Sequence, residues 1–273
     1  MTRPSEGPLP AVVRSGETSP RRRIGLAAYG AVCYAASLAS LAVVIGWLGG
    51  PIPFPVRLDE GSDTARPATF VWNTAIMIGF ALYHSFFART SLKQRLRPWI
   101  GRNLERATYN LVSAVLLILL CLLWEPVPTR LWELTSPAIA QGAAVAHVVL
   151  WIVHLTSIVL MNHNDFFGLR QVGLAMRGEA YRPLPPISRA YYLGTRLTLV
   201  VSLILIPWAA PVMTVGRLHF AVFMTGYIVL GAWLSNRDRG DVATLPDQTA
   251  AGAARVSPSR RPAAPGPIGG PSR

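Results

Sequence analysis

Six stretches of this chain meet or approach the run of roughly 20 apolar residues that a helix needs to cross a hydrocarbon core about 30 Å thick. They fall at 24–48, 69–87, 109–124, 143–161, 192–209 and 212–234. The third contains the purest run, LLILLCLLW, whereas the second carries Asn73, His84 and Ser85 and the fourth carries His147 and His154. Only Ala210 and Pro211 separate the last two stretches, which leaves room for a tight hairpin. The pattern predicts an all-α, polytopic integral membrane bundle of about six transmembrane helices.

Charge tests that segmentation independently, because basic residues stay cytoplasmic. Twenty-two of the 26 Lys and Arg residues fall in four segments that a six-span topology puts on one side. These are the N-terminal tail through Arg23, the loop from Arg89 to Arg106, the segment from Arg170 to Arg196, and the tail from Arg237 onward. Arg57, Arg66, Arg130 and Arg217 are left outside, so both termini are expected in the cytoplasm. Topology accounts for the net charge of +13, and no nucleic-acid partner is needed to explain it.

Composition agrees: 51% of residues are hydrophobic and 14% charged, where a soluble domain carries about 25% charged residues. Two cysteines, Cys33 and Cys121, exclude a disulfide scaffold. Residues 1–23 read as a disordered basic tail, 24–238 as the membrane domain, and 239–273 as a second disordered tail rich in Pro, Ala, Gly and Arg. The apolar run after Arg23 is longer than a signal-peptide core and lacks a clean cleavage site, so the first span is expected to remain as an anchor.

Polar residues inside a membrane protein point to function. The densest group, Asn162 to Gln171, begins where the fourth span meets the cytoplasmic headgroups and brings His163, Asp165 and Arg170 within eight residues. One reading is a cytoplasm-facing pocket in which these side chains position a polar cofactor. The other is an interfacial cap, with Arg170 on lipid phosphate and Asp165 paired to it, and composition alone favours the cap. His84-Ser85 forms a second polar pair near the same side, with helix packing as its plain explanation. His147 and His154 share a face of the fourth span, but without a carboxylate or cysteine they make a thin metal site, and no metal is expected. The proline-interrupted loop before the fifth span, with Pro183, Pro185 and Pro186, could fold under the bundle or lie on anionic lipid.

Four blocks, FALYHSFFAR (80–89), LERATYNLVSAVLLILL (104–120), NHNDFFGLRQV (162–172) and APVMTVGRLHFA (210–221), resemble the bacterial methanethiol S-methyltransferases. Those are integral membrane proteins grouped with the NnrU-like proteins and the isoprenylcysteine carboxyl methyltransferases. The resemblance covers about 24–238. It implies methyl transfer from S-adenosyl-L-methionine to a small volatile thiol, methanethiol giving dimethyl sulfide, in a bacterial inner membrane. Given that chemistry, position at the inner interface would have His163 and Asp165 order the catalytic pocket wall and His84 lie across the bundle near the thiol. Arg170 and Arg196 would meet the cofactor carboxylate, with Gln171 and Tyr192 completing its polar lining. An apolar thiol would arrive from the bilayer and the charged cofactor from the cytoplasm.

The chain also departs from the family pattern. A gapless match puts Arg196, Leu197, Thr198 and Val200 where the family carries Arg-His-Pro and a following Tyr, and Ser235-Asn236-Arg237-Asp238 where it ends in Glu-Glu-Arg-Asp. A non-catalytic NnrU-like protein that keeps the fold without methyl transfer is therefore the competing expectation. A small-solute transporter is a weaker third, since it needs polar residues along the full depth of the spans. Methanethiol, hydrogen sulfide, other thiols and a prenylcysteine carboxylate all suit a lipid-facing slot. Nothing in the pattern speaks to oligomeric state.

Overall fold

The computed structural model describes residues 19–61, 66–88, 95, 97–182 and 189–243, the side chains of 88, 189–190, 192 and 235–243 excepted. The expected disordered tails through residue 18 and from residue 244, and the prolines at 183, 185 and 186, lie outside the described residues. The chain divides into two units, 1–230 and 231–273; the second is helical as far as it is described, to Ala243.

The first three long helices are α1 (Pro20–Trp47), α2 (Pro67–Ala88) and α3 (Glu105–Leu123). A four-residue strand β1 (Arg130–Glu133) precedes α4 (Pro137–Leu160). A single helical turn α5 (His163–Phe166) and the short α6 (Leu169–Met176) lead to α7 (Arg189–Leu205). A 3-10 turn (Ile206–Trp208), strand β2 (Val212–Thr214) and α8 (Val215–Ala243) complete the order. Proline opens α1 and α4, where its missing N–H costs nothing. Helices α1 to α4 and α8 are each long and apolar enough to cross a membrane, and where the sixth span is expected the described residues hold a shorter apolar helix, Leu193–Trp208. The fold is an all-α polytopic membrane bundle, as the hydrophobic pattern predicts. The first helix begins within the stretch expected to be tail, since Arg23 donates to the Met176 carbonyl at 3.1 Å and is held against α6.

The end away from the arginine-rich loops is the tightly closed one. Trp47, Trp124 and Phe220 pack edge to face with ring centroids 5.1–6.0 Å apart, in a core that includes Leu58, Met77, Trp151 and Ile206. Over it lies an element the hydrophobic pattern does not announce: β1 pairs antiparallel with β2, and Val215 N–H extends the ladder to the Thr129 carbonyl. Three of the four arginines left outside by the charge rule are neutralised there. Arg57 sits 3.6 Å from Glu60, Arg130 2.6 Å from Glu133, and Arg217 is held by Asp59.

Polar side chains in the spans mostly serve packing. Asn73, fully buried in α2, donates to the Glu125 carbonyl at 2.8 Å and accepts from Glu125 N–H at 3.0 Å, clamping α2 to the end of α3. His147 has both ring nitrogens engaged, Nδ1 with the Ile206 carbonyl and Nε2 with the Trp151 indole N–H, each at 3.1 Å.

At the inner, arginine-rich end the helices are splayed around a cavity, and two backbone features hold the segment that closes it. Asn162 has φ of 72° and its side chain caps α5 by accepting from Asp165 N–H. Gly168 has φ of 82°, and a Cβ there would lie 2.8 Å from the backbone nitrogen of Ala107. Both the left-handed turn and the contact with α3 therefore require glycine.

Candidate functional site

The cavity has a volume of about 610 Å³, within the range of small-molecule sites. Its two ends differ in chemistry. Toward the arginine-rich side it is lined by Arg97, Arg102, Glu105, Arg106, Tyr109, Asn110, Gln171 and Tyr181, with Phe80 and His84 from α2. Deeper in the bundle the lining is Leu41, Ala114, Leu117, Ile158, Leu199 and Leu203, with Ser37, Ser40 and His154 among them. The two serines present little polarity, because each donates to a carbonyl of its own helix at 2.7–2.8 Å.

The charged end is built on the first turns of α3. Glu105, Tyr109, Asn110 and Ser113 follow at helical spacing and put a polar stripe on an otherwise apolar span. Glu105 pairs with Arg97 at 3.1 Å. Asn110 and Arg106 both donate to the Phe166 carbonyl, at 2.9 and 3.2 Å, and tie α3 to the end of α5. The Arg102 guanidinium lies 4.6 Å from the Tyr181 ring centroid and has no carboxylate partner among the described residues.

The sequence-derived site residues are distributed unevenly around this cavity. Gln171 and His84 line it. His84 meets the Tyr109 hydroxyl at 2.9 Å and stacks on Phe80. Asp165 stands behind the wall rather than in it: its Oδ1 accepts from both Arg170 Nε and Gln171 Nε2, each at 2.8 Å. Gln171 is 2% exposed, and with its amide nitrogen committed to Asp165 its Oε1 is buried without a hydrogen-bond partner among the described residues. Arg170 is neutralised by Asp165 and donates onward to the Arg182 carbonyl at 2.7 Å, so it is a strut of the wall and not a free cation. His163 does not line the cavity. Its Nε2 meets the Tyr34 hydroxyl at 2.9 Å and its ring packs 4.9 Å from Phe167, which does. Arg196 is not among the cavity's lining residues, and the side chain of Tyr192 lies outside the described set. Leu197, expected at the family's histidine position, is 63% exposed on α7 and is not among the cavity's lining residues.

Residues that sequence reasoning did not assign to the site are Arg97, Arg102, Glu105, Arg106, Tyr109, Asn110, Tyr181 and His154. In the sequence the charge rule alone accounts for the arginines, as topological anchors. The stripe on α3 was a legible signal, lying within a block already singled out by resemblance.

The loop beneath the cavity is held by charge. Glu179 pairs with Arg177 at 2.7 Å and with Arg182, and its carboxyl is kept below the usual carboxylate range first by the Arg177 hydrogen bond. Asn103 secures the same loop by donating to the Glu179 carbonyl at 2.9 Å. Among the described residues, no group of His, Cys, Asp and Glu is placed to hold a metal ion.

No family model and no solved structure matches the chain. Curated proteins do. Methanethiol S-methyltransferase 1 of Bradyrhizobium diazoefficiens is 33% identical over 214 residues, 78% of this chain and 75% of that protein. The methanethiol S-methyltransferase of Mycobacterium tuberculosis is 32% identical over 220 residues, 81% of this chain and 89% of that protein. Nurim of Xenopus laevis is 28% identical over 200 residues, 68% of each chain. Likeness of that extent to several proteins of one name, joined to a membrane bundle with a cavity at its arginine-rich end, shows that this chain belongs to the methanethiol S-methyltransferase family.

Proposed function

We propose that the chain is a membrane-bound methyltransferase that moves a methyl group from S-adenosyl-L-methionine to methanethiol, giving dimethyl sulfide, in a bacterial inner membrane. The observation that carries this reading is the two-ended cavity: at one end a cation and a buried acceptor that have, respectively, no carboxylate and no hydrogen-bond partner among the described residues, and at the other a leucine-lined slot. The residues present fit the cofactor. Arg102, free of any carboxylate among the described residues, would take its carboxylate, and Gln171 Oε1 would accept from one of its N–H groups. The rings of Phe80, Tyr109 and Phe166 offer faces to a sulfonium and to a base. When bound, the cofactor supplies an electrophilic methyl on a cationic sulfur.

What the chain contributes is placement. Asp165 holds the Gln171 amide in one orientation, and the Arg106 and Asn110 bonds to the Phe166 carbonyl fix the wall facing it. Helices α1, α4 and α7 close the apolar end with side chains that exclude water and accept a small thiol from the bilayer. The thiol must give up its proton to become a nucleophile, so a base is required near that end.

Cells supplied with methanethiol test the proposal. Dimethyl sulfide above an empty-vector control is expected, lost in Arg102→Ala with Gln171→Ala. No thioether at verified expression and no binding of labelled cofactor would refute it. The second reading, a non-catalytic member of the family, draws on Leu197 and Thr198 at the family's His-Pro positions and predicts that second outcome.

A further inference from the structure

We propose that His154 is the catalytic base that takes the proton of the thiol; the assignment rests on the thiol-methylation reading above. His154 lies on α4 among the residues of the apolar end of the cavity and is 6% exposed. Its Nδ1 is 3.2 Å from the Leu199 carbonyl and 3.2 Å from Ser202 Oγ, both on α7. A carbonyl can only accept, so Nδ1 carries the proton of the neutral ring. The Ser202 hydroxyl gives its own proton to that same carbonyl at 3.0 Å, which leaves its oxygen to accept from Nδ1 as well. The Trp151 ring stands at 90° against the imidazole, 5.9 Å away, and limits its rotation. Nε2 is then an unprotonated nitrogen with no partner among the described residues.

The contrast with the other histidine of this helix is informative. His147 has both nitrogens consumed by protein partners, which is what a packing histidine looks like. His84, the other imidazole on the cavity wall, is engaged by Tyr109 and lies in the last turn of α2, at the charged end. At the apolar end the serines are turned back onto their own helix, so His154 is the base within reach of a thiol seated among Leu117, Ile158 and Leu203.

The step balances without further reagents. The S–H bond breaks with its electron pair left on sulfur, and the proton passes to Nε2. That pair forms the new S–C bond as the donor's sulfonium S–C bond breaks, its electrons returning to the donor sulfur. The thioether leaves neutral, and the imidazolium later releases its proton through the cavity to water. The Leu199 carbonyl stabilises the imidazolium through Nδ1–H, the part a carboxylate plays in hydrolytic triads. Thiolate and imidazolium form as a neutral pair, which a low-dielectric site penalises less than a lone thiolate.

Two measurements on the purified full chain test the assignment. First, isotope-labelled histidine resonances are followed while methanethiol is added without any methyl donor. The His154 Nε2 signal, identified by its loss in His154→Gln, is expected to shift as the S–H group bonds to it. An unmoved signal at saturating thiol overturns the proposal whether or not the protein turns over. Second, His154→Gln is expected to lower thioether formation about 100-fold or more, the usual worth of a general base. His154→Ala is expected to regain rate with added imidazole. Wild-type rate in His154→Gln overturns the assignment, as does a dead His154→Ala that binds labelled donor normally yet gains nothing from imidazole. A wild-type protein whose Nε2 signal shifts but which makes no thioether sinks the methyl-transfer reading and leaves thiol binding at His154 standing.

Discussion

Removing the carboxylate of Asp165 separates a residue that touches the ligand from one that acts through a neighbour. Two donors converge on Oδ1 at 2.8 Å, and the Gln171 amide is the buried one of the pair. A hydrogen bond to a charged acceptor contributes about 1.5–3 kcal/mol. The ion pair with Arg170 is partly screened, with side chains 23% and 18% exposed, so the Gln171 bond carries most of the effect on the site. Asp165→Ala releases that amide to rotate and should weaken cofactor binding by about 2 kcal/mol, or roughly 30-fold. Asp165→Asn keeps an oxygen acceptor without the charge and should cost about 1 kcal/mol, or roughly fivefold. Equilibrium binding of labelled S-adenosylmethionine to detergent-purified protein reads both. The decisive measurement is the cycle with Gln171→Ala. If Asp165 works only by orienting that amide, adding Asp165→Ala to Gln171→Ala changes binding by less than about threefold. Penalties that multiply in the double variant would refute the argument and put Asp165 itself on the ligand.

Three further outcomes follow from the geometry. Gly168→Ala should lower the thermal-unfolding midpoint, because a left-handed backbone costs an alanine about 1–2 kcal/mol and its Cβ meets the Ala107 backbone; an unchanged midpoint would show that the α5–α6 turn is not under this constraint. Arg217→Ala should destabilise the fold by about 3–5 kcal/mol, since Arg217 is 5% exposed and its loss leaves Asp59 without its cation, while cofactor affinity at low temperature stays at the wild-type value; a midpoint like that of the wild type would refute the buried-pair argument. Glu179 has a folded pKa below its unfolded one, so its contribution is fully present above the unfolded value and disappears as pH falls through the folded one. Protection of the amides of residues 177–182, taken relative to their intrinsic exchange rates, should therefore fall only on acidification below the usual carboxylate range, and Glu179→Gln should lack that protection at neutral pH with no such dependence; a protected loop that loses its protection with acid in that variant would contradict the assignment.

The spans were legible because crossing a bilayer is a one-dimensional demand: enough apolar residues in a row, and basic residues held to one side. The site was legible only in part. Gln171 and Asp165 belong to a local block, and a short stretch of chain can be judged from its own spacing. Arg170 carried the right charge in the right place, yet its guanidinium is spent on Asp165 and the Arg182 carbonyl, a pairing that depends on where the loop folds. Arg102 was counted as an anchor, and only the fold places it over Tyr181 beside the cavity. The β1–β2 ladder was silent because strands of three or four residues leave no periodicity to read.

His147 and His154 mark the boundary between the two kinds of knowledge. Their spacing of seven put both on one face of one apolar helix, and nothing in the order of residues distinguishes them. Composition and hydrophobic runs determined that this chain is a membrane bundle with most of its cations gathered in alternate loops, since solvent transfer acts on each segment separately. The Trp151 bond to His147 is local to α4, but which carbonyl each imidazole meets, Ile206 for His147 and Leu199 for His154, was decided by the packing of α7 and the 3-10 turn after it against α4, because those hydrogen bonds join residues distant in the chain.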